Sequence, residues 1–395
     1  MKKWVWIIAG LLFLVAIEIL KVYFIMPFPG SQKSNSISIA FFLDRNIWWL
    51  RIVGLIMIVG PILRSLAKGK IWQKTLLVLA ILLYGFIYYL FNFQFLADKM
   101  FYQPKQKIFA PASADTTNKD KLVIGVVINN KAKAYPIEII GYHHQVKDSV
   151  AQEPIMVTYC TVCRTGRVFS PFVNGKNEQF RLVGMDHYNA MFEDATTKSW
   201  WRQATGEAIA GKLKGQQLKE IPSVQMRLGE WLEMYPNSEV LQPDSNFKKE
   251  YADLKGYDAG TIKGSLEHRD SSSWHFKSWV VGVSEKGKHK AYDWNALVKQ
   301  KIISDSLAGT PLLLTVEPHG KTFYVLNRTL NGQTLAFVPG TNGSMEDTET
   351  HSTWKLNGTC TAGLLQGKQL QRQQAYQEFW HSWKSFHPDT YTYQN

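Results

Sequence analysis

Two cysteines stand three positions apart in the run Tyr159-Cys160-Thr161-Val162-Cys163-Arg164-Thr165-Gly166. Thiolates at this spacing can ligate a metal, close a short disulfide or exchange electrons with another dithiol. Backbone amides of a tight turn can point at both sulfurs, lowering the thiol pKa and favouring ligation. Two thiolates with one or two imidazoles suit zinc or cuprous copper. We therefore expect a metal site of Cys160, Cys163 and His143, with His144 and His187 as further candidate ligands. A redox dithiol is the second reading. Thioredoxin-like sites place the first cysteine at a helix N-terminus, whereas a β-like segment, residues 164–173, follows here. The third reading is a structural disulfide or a pair of buried thiols. A papain-like nucleophile at Cys160 lacks an assignable oxyanion hole or orienting Asn.

Other residues that invite a chemical role have plainer explanations. Trp200, Trp201, Trp231, Trp354, Trp380 and Trp383 can build a carbohydrate platform, but core anchoring explains their regular placement better. Cys360 reads as a buried thiol. The formal charge of +13 is uneven: the first 100 residues hold eleven Lys and Arg against three Asp and Glu, which leaves +5 for the rest. With no concentrated basic stripe there, no nucleic-acid partner is expected.

Anchorage comes from residues 1–100, where three apolar stretches at about 4–26, 47–66 and 72–95 are long enough to cross a bilayer. The first carries Glu18 and Lys21 on one helix face, able to pair with each other. The second contains Pro61, which membrane helices tolerate. The first run is too long for a removable signal peptide, and no small-residue cleavage site follows it. Lys2, Lys3, Arg64, Lys68, Lys70 and Lys74 would share one side, against Lys33 and Arg45 on the other. The positive-inside rule then puts the N-terminus in the cytoplasm and, after three crossings, the remainder outside it, periplasmic in a bacterium. The lipid bilayer is the expected partner.

The remainder repeats itself. Residues 123–158 align without gaps on 280–315 at an offset of 157, matching Lys133-Ala134-Tyr135 with Lys290-Ala291-Tyr292 and Pro154 with Pro311. Further on the offset falls to 153 and 152, pairing Asp194 with Asp347, Trp201 with Trp354, and Trp231 with Trp383. Residues 101–120 read as a linker, 121–243 as a first lobe, 244–277 as a second linker and 278–392 as a second lobe. Each lobe begins with a β-hairpin. A short helix follows, at 137–146 in the first lobe, then an apolar strand at 154–159. The closing helix lies at 227–235, or 374–386 in the second lobe. The fold class expected is α+β and β-rich, a tandem duplication of one α+β unit preceded by three transmembrane helices. Residues common to both lobes are most simply scaffold. At the place of the cysteines the second lobe has Val316-Glu317-Pro318-His319-Gly320, so the lobe can be built without them.

These motifs give the chain a family likeness. Ala134-Tyr135-Pro136, Tyr142-His143, the Cys160 to Cys163 turn, the D-x-x-T-x-S-x-W run at 194–201, the Gly-rich run at 206–218 and the FW-x-x-W segment at 379–390 together resemble the bacterial and archaeal family designated domain of unknown function 3179. The resemblance covers essentially all of 121–392 and implies the duplicated architecture but no activity. Departures are Thr161-Val162 for the usual Pro-Leu, Tyr142 for Trp, and Gly184-Met185-Asp186-His187-Tyr188-Asn189 for a Leu-Tyr-Asn-Ser stretch, which makes any role of His187 specific to this branch. The functional expectation is a membrane-anchored extracytoplasmic protein that binds a transition metal or performs thiol redox chemistry. The alternative is a non-catalytic binding or scaffold protein with a structural cysteine pair.

Overall fold

The computed structural model describes residues 2–394. Three helices are long and apolar enough to cross a membrane: α1 (Lys2–Tyr23), α2 (Ile37–Lys68) and α3 (Ile71–Tyr89), the last extended by a π-turn at Leu90–Gln94. The second begins ten residues before the expected 47, because Asp44 and Arg45 do not end it; Arg45 instead pairs with Glu193. Leu14, Ile17, Ile47 and Ile58 form the core of the bundle. Glu18 and Lys21 pair at 3.2 Å, and Arg51 and Asn92 complete the group, with Arg51 Nε 2.7 Å from Glu18 Oε1.

The chain divides into two compact units. One comprises residues 1–102, 178–202 and 207–217; the other comprises 103–177, 203–206 and 218–395. In the first unit, a four-stranded sheet runs in the order Ala208–Ala210, Trp200–Arg202, Asn189–Asp194, Phe180–Asp186. The connection between α1 and α2 clasps this sheet. The Met185 amide donates to the Ile25 carbonyl at 2.7 Å, and the Tyr188 amide donates to Gln32 Oε1 at 3.1 Å. A Cβ on Gly184 would lie 2.2 Å from the Ile25 oxygen, which accounts for a glycine there.

The second unit is a layered α+β body. Leu122–Ile128 and Lys131–Pro136 form the expected hairpin, turned by Asn129 and Asn130 at φ +48° and +61°, which fits the primed turn that matches strand twist. Helix Ile137–His143 is shorter than expected. His144 at φ +59° ends it and starts a strand, Gln145–Val150, that pairs with Glu153–Cys160. The same order recurs later: hairpin strands Trp279–Glu285 and Lys288–Asp293, helix Trp294–Gln300, then Ile302–Leu307 and Thr310–Val316. The closing helices are Leu228–Met234 and Trp380–Phe386. The second is shorter than the expected 374–386 because Ala375–Phe379 is a strand paired with Trp279 to Val283. Each hairpin glycine is dictated by a closing-helix tryptophan, since a Cβ on Gly125 would meet Trp231 at 2.1 Å and one on Gly282 would meet Trp383 at 2.2 Å. Trp231, Trp354 and Trp383 are fully buried, as is Trp201 in the other unit, so they are core anchors as expected.

Neither stretch read as a linker is loose. Phe109–Pro111 adds a strand beside Glu239–Leu241, and 244–277 holds helix Lys248–Asp253 and covers the cysteine turn.

A buried cysteine pair as the candidate functional site

Strands Glu153–Cys160 and Thr165–Phe169 pair antiparallel with Cys160 opposite Thr165, which leaves residues 161–164 as a tight turn. Arg164 closes it at φ +56°. Both cysteines are fully buried, and neither they nor Cys360 form a disulfide.

Carbonyl oxygens of three successive turn residues are taken by groups distant in sequence. The Tyr257 hydroxyl donates to Thr161 O at 2.9 Å, Lys277 Nζ to Val162 O at 2.5 Å, and the Phe379 amide to Cys163 O at 2.9 Å. His381 Nε2 also reaches Val162 O, at 3.2 Å. A buried turn with unpaired carbonyls would cost a desolvation penalty for each, so these partners fix the turn in place. Arg164 is held the same way: its Nε donates to Gln377 Oε1 at 2.9 Å and its guanidinium lies 3.8 Å over the Trp279 ring.

The electrostatics favour a neutral Cys163 thiol. Burial pushes the Cys163 thiol well above its ordinary value, the Cys160 thiol beside it adds to this, and Lys277 and Ser382 offset part. Burial also lowers Lys277, against the opposing pull of Cys163, Cys160 and Glu267. Burial pushes His381 down to about 3, so its ring is neutral and Nε2, facing a carbonyl, carries the proton. Ser382 Oγ donates to Glu378 Oε2 at 2.9 Å, and Glu378 forms a fully buried ion pair with Arg167.

The strap over the turn is aromatic. Phe276, half exposed, stacks on His381 with ring centroids 4.2 Å apart and planes 10° from parallel. Trp274 meets Trp380 edge-on at 5.0 Å while sitting at φ +63°, an unusual conformation for a bulky residue.

Each histidine read as a candidate ligand has a polar partner of its own. His143 is buried with Nε2 2.7 Å from the Tyr251 hydroxyl, its ring packed among Tyr142, Phe247 and Tyr251. His144 Nδ1 lies 2.7 Å from Gly141 O, and burial pushes its pKa down to about 4. His187, in the other compact unit, meets Asp186 Oδ1 at 2.6 Å. Among the described residues no three His, Cys, Asp or Glu side chains converge as a metal's ligands would. Sequence reasoning missed Lys277, His381 and Ser382. The contrast between lobes carried a signal for His381, because its counterpart at the offset of 152 is Gly229.

Fold and site together define a strand-rich α+β protein with three membrane-length helices and a buried dithiol turn. The chain belongs to the family described as protein of unknown function, DUF3179, whose model matches residues 104–390. No curated protein and no solved structure matches it significantly.

Proposed function

We propose that this is a multi-pass membrane protein whose strand-rich part stands outside the cytoplasm, and that its working group is the Cys160–Cys163 dithiol. The anchor supports the topology. The α1–α2 connection and the segment after α3 both meet the sheet of their own unit, Ile25 through Met185 and Asp98 through Arg181. Sheet and helix ends then share one side after three crossings, and the Lys and Arg count places the N-terminus on the cytoplasmic side.

Duplication is supported by equivalent hydrogen bonds. Leu228 N donates to Lys121 O and Trp380 N to Ser278 O, each at 2.8 Å, at positions related by the sequence offsets. It accounts for the chemistry residing at one turn of two.

The observation that carries the dithiol reading is the enclosure of both sulfurs with a lysine and a serine. Apolar packing alone has no need of a partly buried ammonium, whose desolvation is costly. In the closed state the Cys163 thiol stays protonated and unreactive. When the strap at 274–277 lifts, water enters and the Lys277 charge favours a thiolate. That thiolate attacks a disulfide-bearing co-reactant and forms a mixed disulfide. The second cysteine displaces it, so the Cys160–Cys163 bond forms, the co-reactant's S–S bond becomes two thiols, and two electrons and two protons pass to it.

The full chain in detergent, equilibrated anaerobically across glutathione redox buffers, tests this by mass spectrometry. A reversible Cys160–Cys163 disulfide is expected. A pair that stays reduced at every poise refutes the reading. Stoichiometric zinc or copper in anaerobically purified protein, lost in Cys160→Ser and in His143→Ala, would replace it by the metal site of Cys160, Cys163 and His143.

A further inference from the structure

Phe169 pairs antiparallel with Glu220, and Leu326 pairs in the same way with Arg372, at positions related by the offsets of 157 and 152. One backbone arrangement thus carries an acid in the first place and a base in the second. The first place is filled and compensated. The Tyr376 hydroxyl donates to Glu220 Oε1 at 2.6 Å, and the Arg167 guanidinium lies over the Tyr376 ring and pairs with Glu378. The residues matching Tyr376, Arg167 and Glu378 at those offsets are Val224, Tyr324 and Met226. The second place therefore has no buried acid, and a valine stands where a tyrosine would fill the space.

What is left there is a cavity of about 360 Å3, within the range of small-ligand sites, lined by Val127, Pro222, Val224, Tyr235, Arg372 and Gln373 among others. No Asp or Glu lines it among the described residues. Arg372 forms no ion pair among them either: Nη2 reaches only Met234 Sδ, at 3.9 Å, and the guanidinium lies 5.1 Å over the Tyr324 ring. Its other nitrogens have no protein acceptor and are not sealed off inside the protein. Burial lowers the Arg372 pKa while Tyr324 and Tyr235 oppose the shift, and no carboxylate contributes. A desolvated cation without a counterion is costly, and a bound anion removes that cost.

The walls are held in place before any ligand arrives. Gln374 grips the Ser223 backbone at both ends, accepting from its amide at 3.2 Å and donating to its carbonyl at 3.0 Å. Tyr235 packs on Trp231 with ring centroids 4.4 Å apart, and Val127 leaves an apolar side chain 38 % exposed.

We propose that this cavity binds a monocarboxylate with a small apolar body, its carboxylate on the Arg372 guanidinium and its body against Val127, Val224 and Tyr235. Planar carboxylates suit an arginine fork, and one guanidinium neutralises one charge. A phosphate dianion would keep an uncompensated charge beside apolar walls. The same chemistry is carried by a free organic acid and by the C-terminus of a peptide.

Calorimetric titration of the detergent-solubilised full chain with phenylacetate and butyrate tests this, with phenylacetamide, butyramide and methyl phosphate as controls. A four-residue acetylated alanine peptide, with its C-terminus free or amidated, is the second arm. One acid should bind per chain, and each amide should bind more weakly by about tenfold or more, the span of a charged hydrogen bond. Tighter binding of the free-ended peptide than of phenylacetate assigns a peptide terminus; the reverse assigns a free acid. Arg372→Gln should weaken binding by about tenfold or more. Val224→Tyr, which restores the bulk found at Tyr376, should occlude the cavity, and unchanged melting temperatures show that both variants fold. Wild type binding no acid more tightly than about 1 mM, wild type binding acid and amide equally, or folded Arg372→Gln binding as wild type does would each overturn the proposal. The acid and amide comparison on wild type decides it even where a variant does not fold.

Discussion

Lys277 reaches the carbonyl of Val162 at 2.5 Å, which sets an ammonium on the peptide between two buried cysteines. Replacing it by Met keeps the stem against Phe379 but removes a charged hydrogen bond worth about 1.5–3 kcal/mol. Lys277→Met should be less stable by about that amount, and its cysteines should label faster in the native state. Thiol alkylation read by mass spectrometry measures the second effect; unchanged labelling would show that the strap does not control access.

The buried ion pair of Arg167 and Glu378 ties the strand after the cysteine turn to strand Ala375–Phe379. Glu378→Ala leaves an arginine charge buried without its counterion, a loss of about 3–5 kcal/mol. Glu378→Gln should cost less because it keeps an acceptor for the guanidinium. Chemical denaturation followed by tryptophan fluorescence ranks the two variants.

Gly125→Ala should destabilise by about 1–3 kcal/mol or more, since the added methyl would fall 2.1 Å from a buried Trp231 ring that has nowhere to move. Gly85→Ala, where nothing lies within 4 Å of the new carbon, should be tolerated. Thermal melts of the two variants side by side make the comparison.

His381 and His144 are buried and His387 is half-buried, and burial pushes them down to about 3, 4 and 4. Each stays neutral in the folded state while its unfolded counterpart, near 6.5, takes up a proton. The stability they contribute is fully present above pH 6.5 and is lost as pH falls toward the folded values. His381→Gln should lose about 1 kcal/mol less than wild type between pH 6 and pH 5. Denaturation curves at the two pH values decide it.

In the three membrane-length helices, Glu18 is the acceptor shared by Lys21, Arg51 and Asn92. Glu18→Ala strands two cations, whereas Lys21→Ala leaves Glu18 paired with Arg51. The first should lower the melting temperature of the detergent-solubilised chain more than the second, and equal shifts would argue against the pairing.

Much of the fold could be read from residue pattern alone. Asn129 and Asn130 marked a hairpin turn, the period of the tryptophans marked the core, and the cysteine spacing marked a strand-turn-strand. The pattern failed where tertiary contacts outweighed it. Residues 374–379 look helical in isolation, yet pairing with the Trp279 strand makes Ala375–Phe379 extended. His144 ends a helix by adopting a left-handed conformation that nothing in its neighbours announced. The surroundings of the cysteines were the least legible part, because Lys277 and His381 lie 115 and 219 residues from Val162 and meet it only through packing. The D-x-x-T-x-S-x-W run was visible as a motif, but its reason is structural. Asp194 takes the Thr197 hydroxyl at 2.7 Å and the Trp201 indole at 3.0 Å, and Asp347 does the same with Thr350 and Trp354.

The clasp between Ile25 and Met185 makes the tether part of the architecture it carries. Trimming the chain back to residue 103 to make it water-soluble would unroof the Phe180–Asp186 strand and leave Gly184 facing empty space. Detergent-solubilised whole protein is therefore the form in which this sheet keeps its shape.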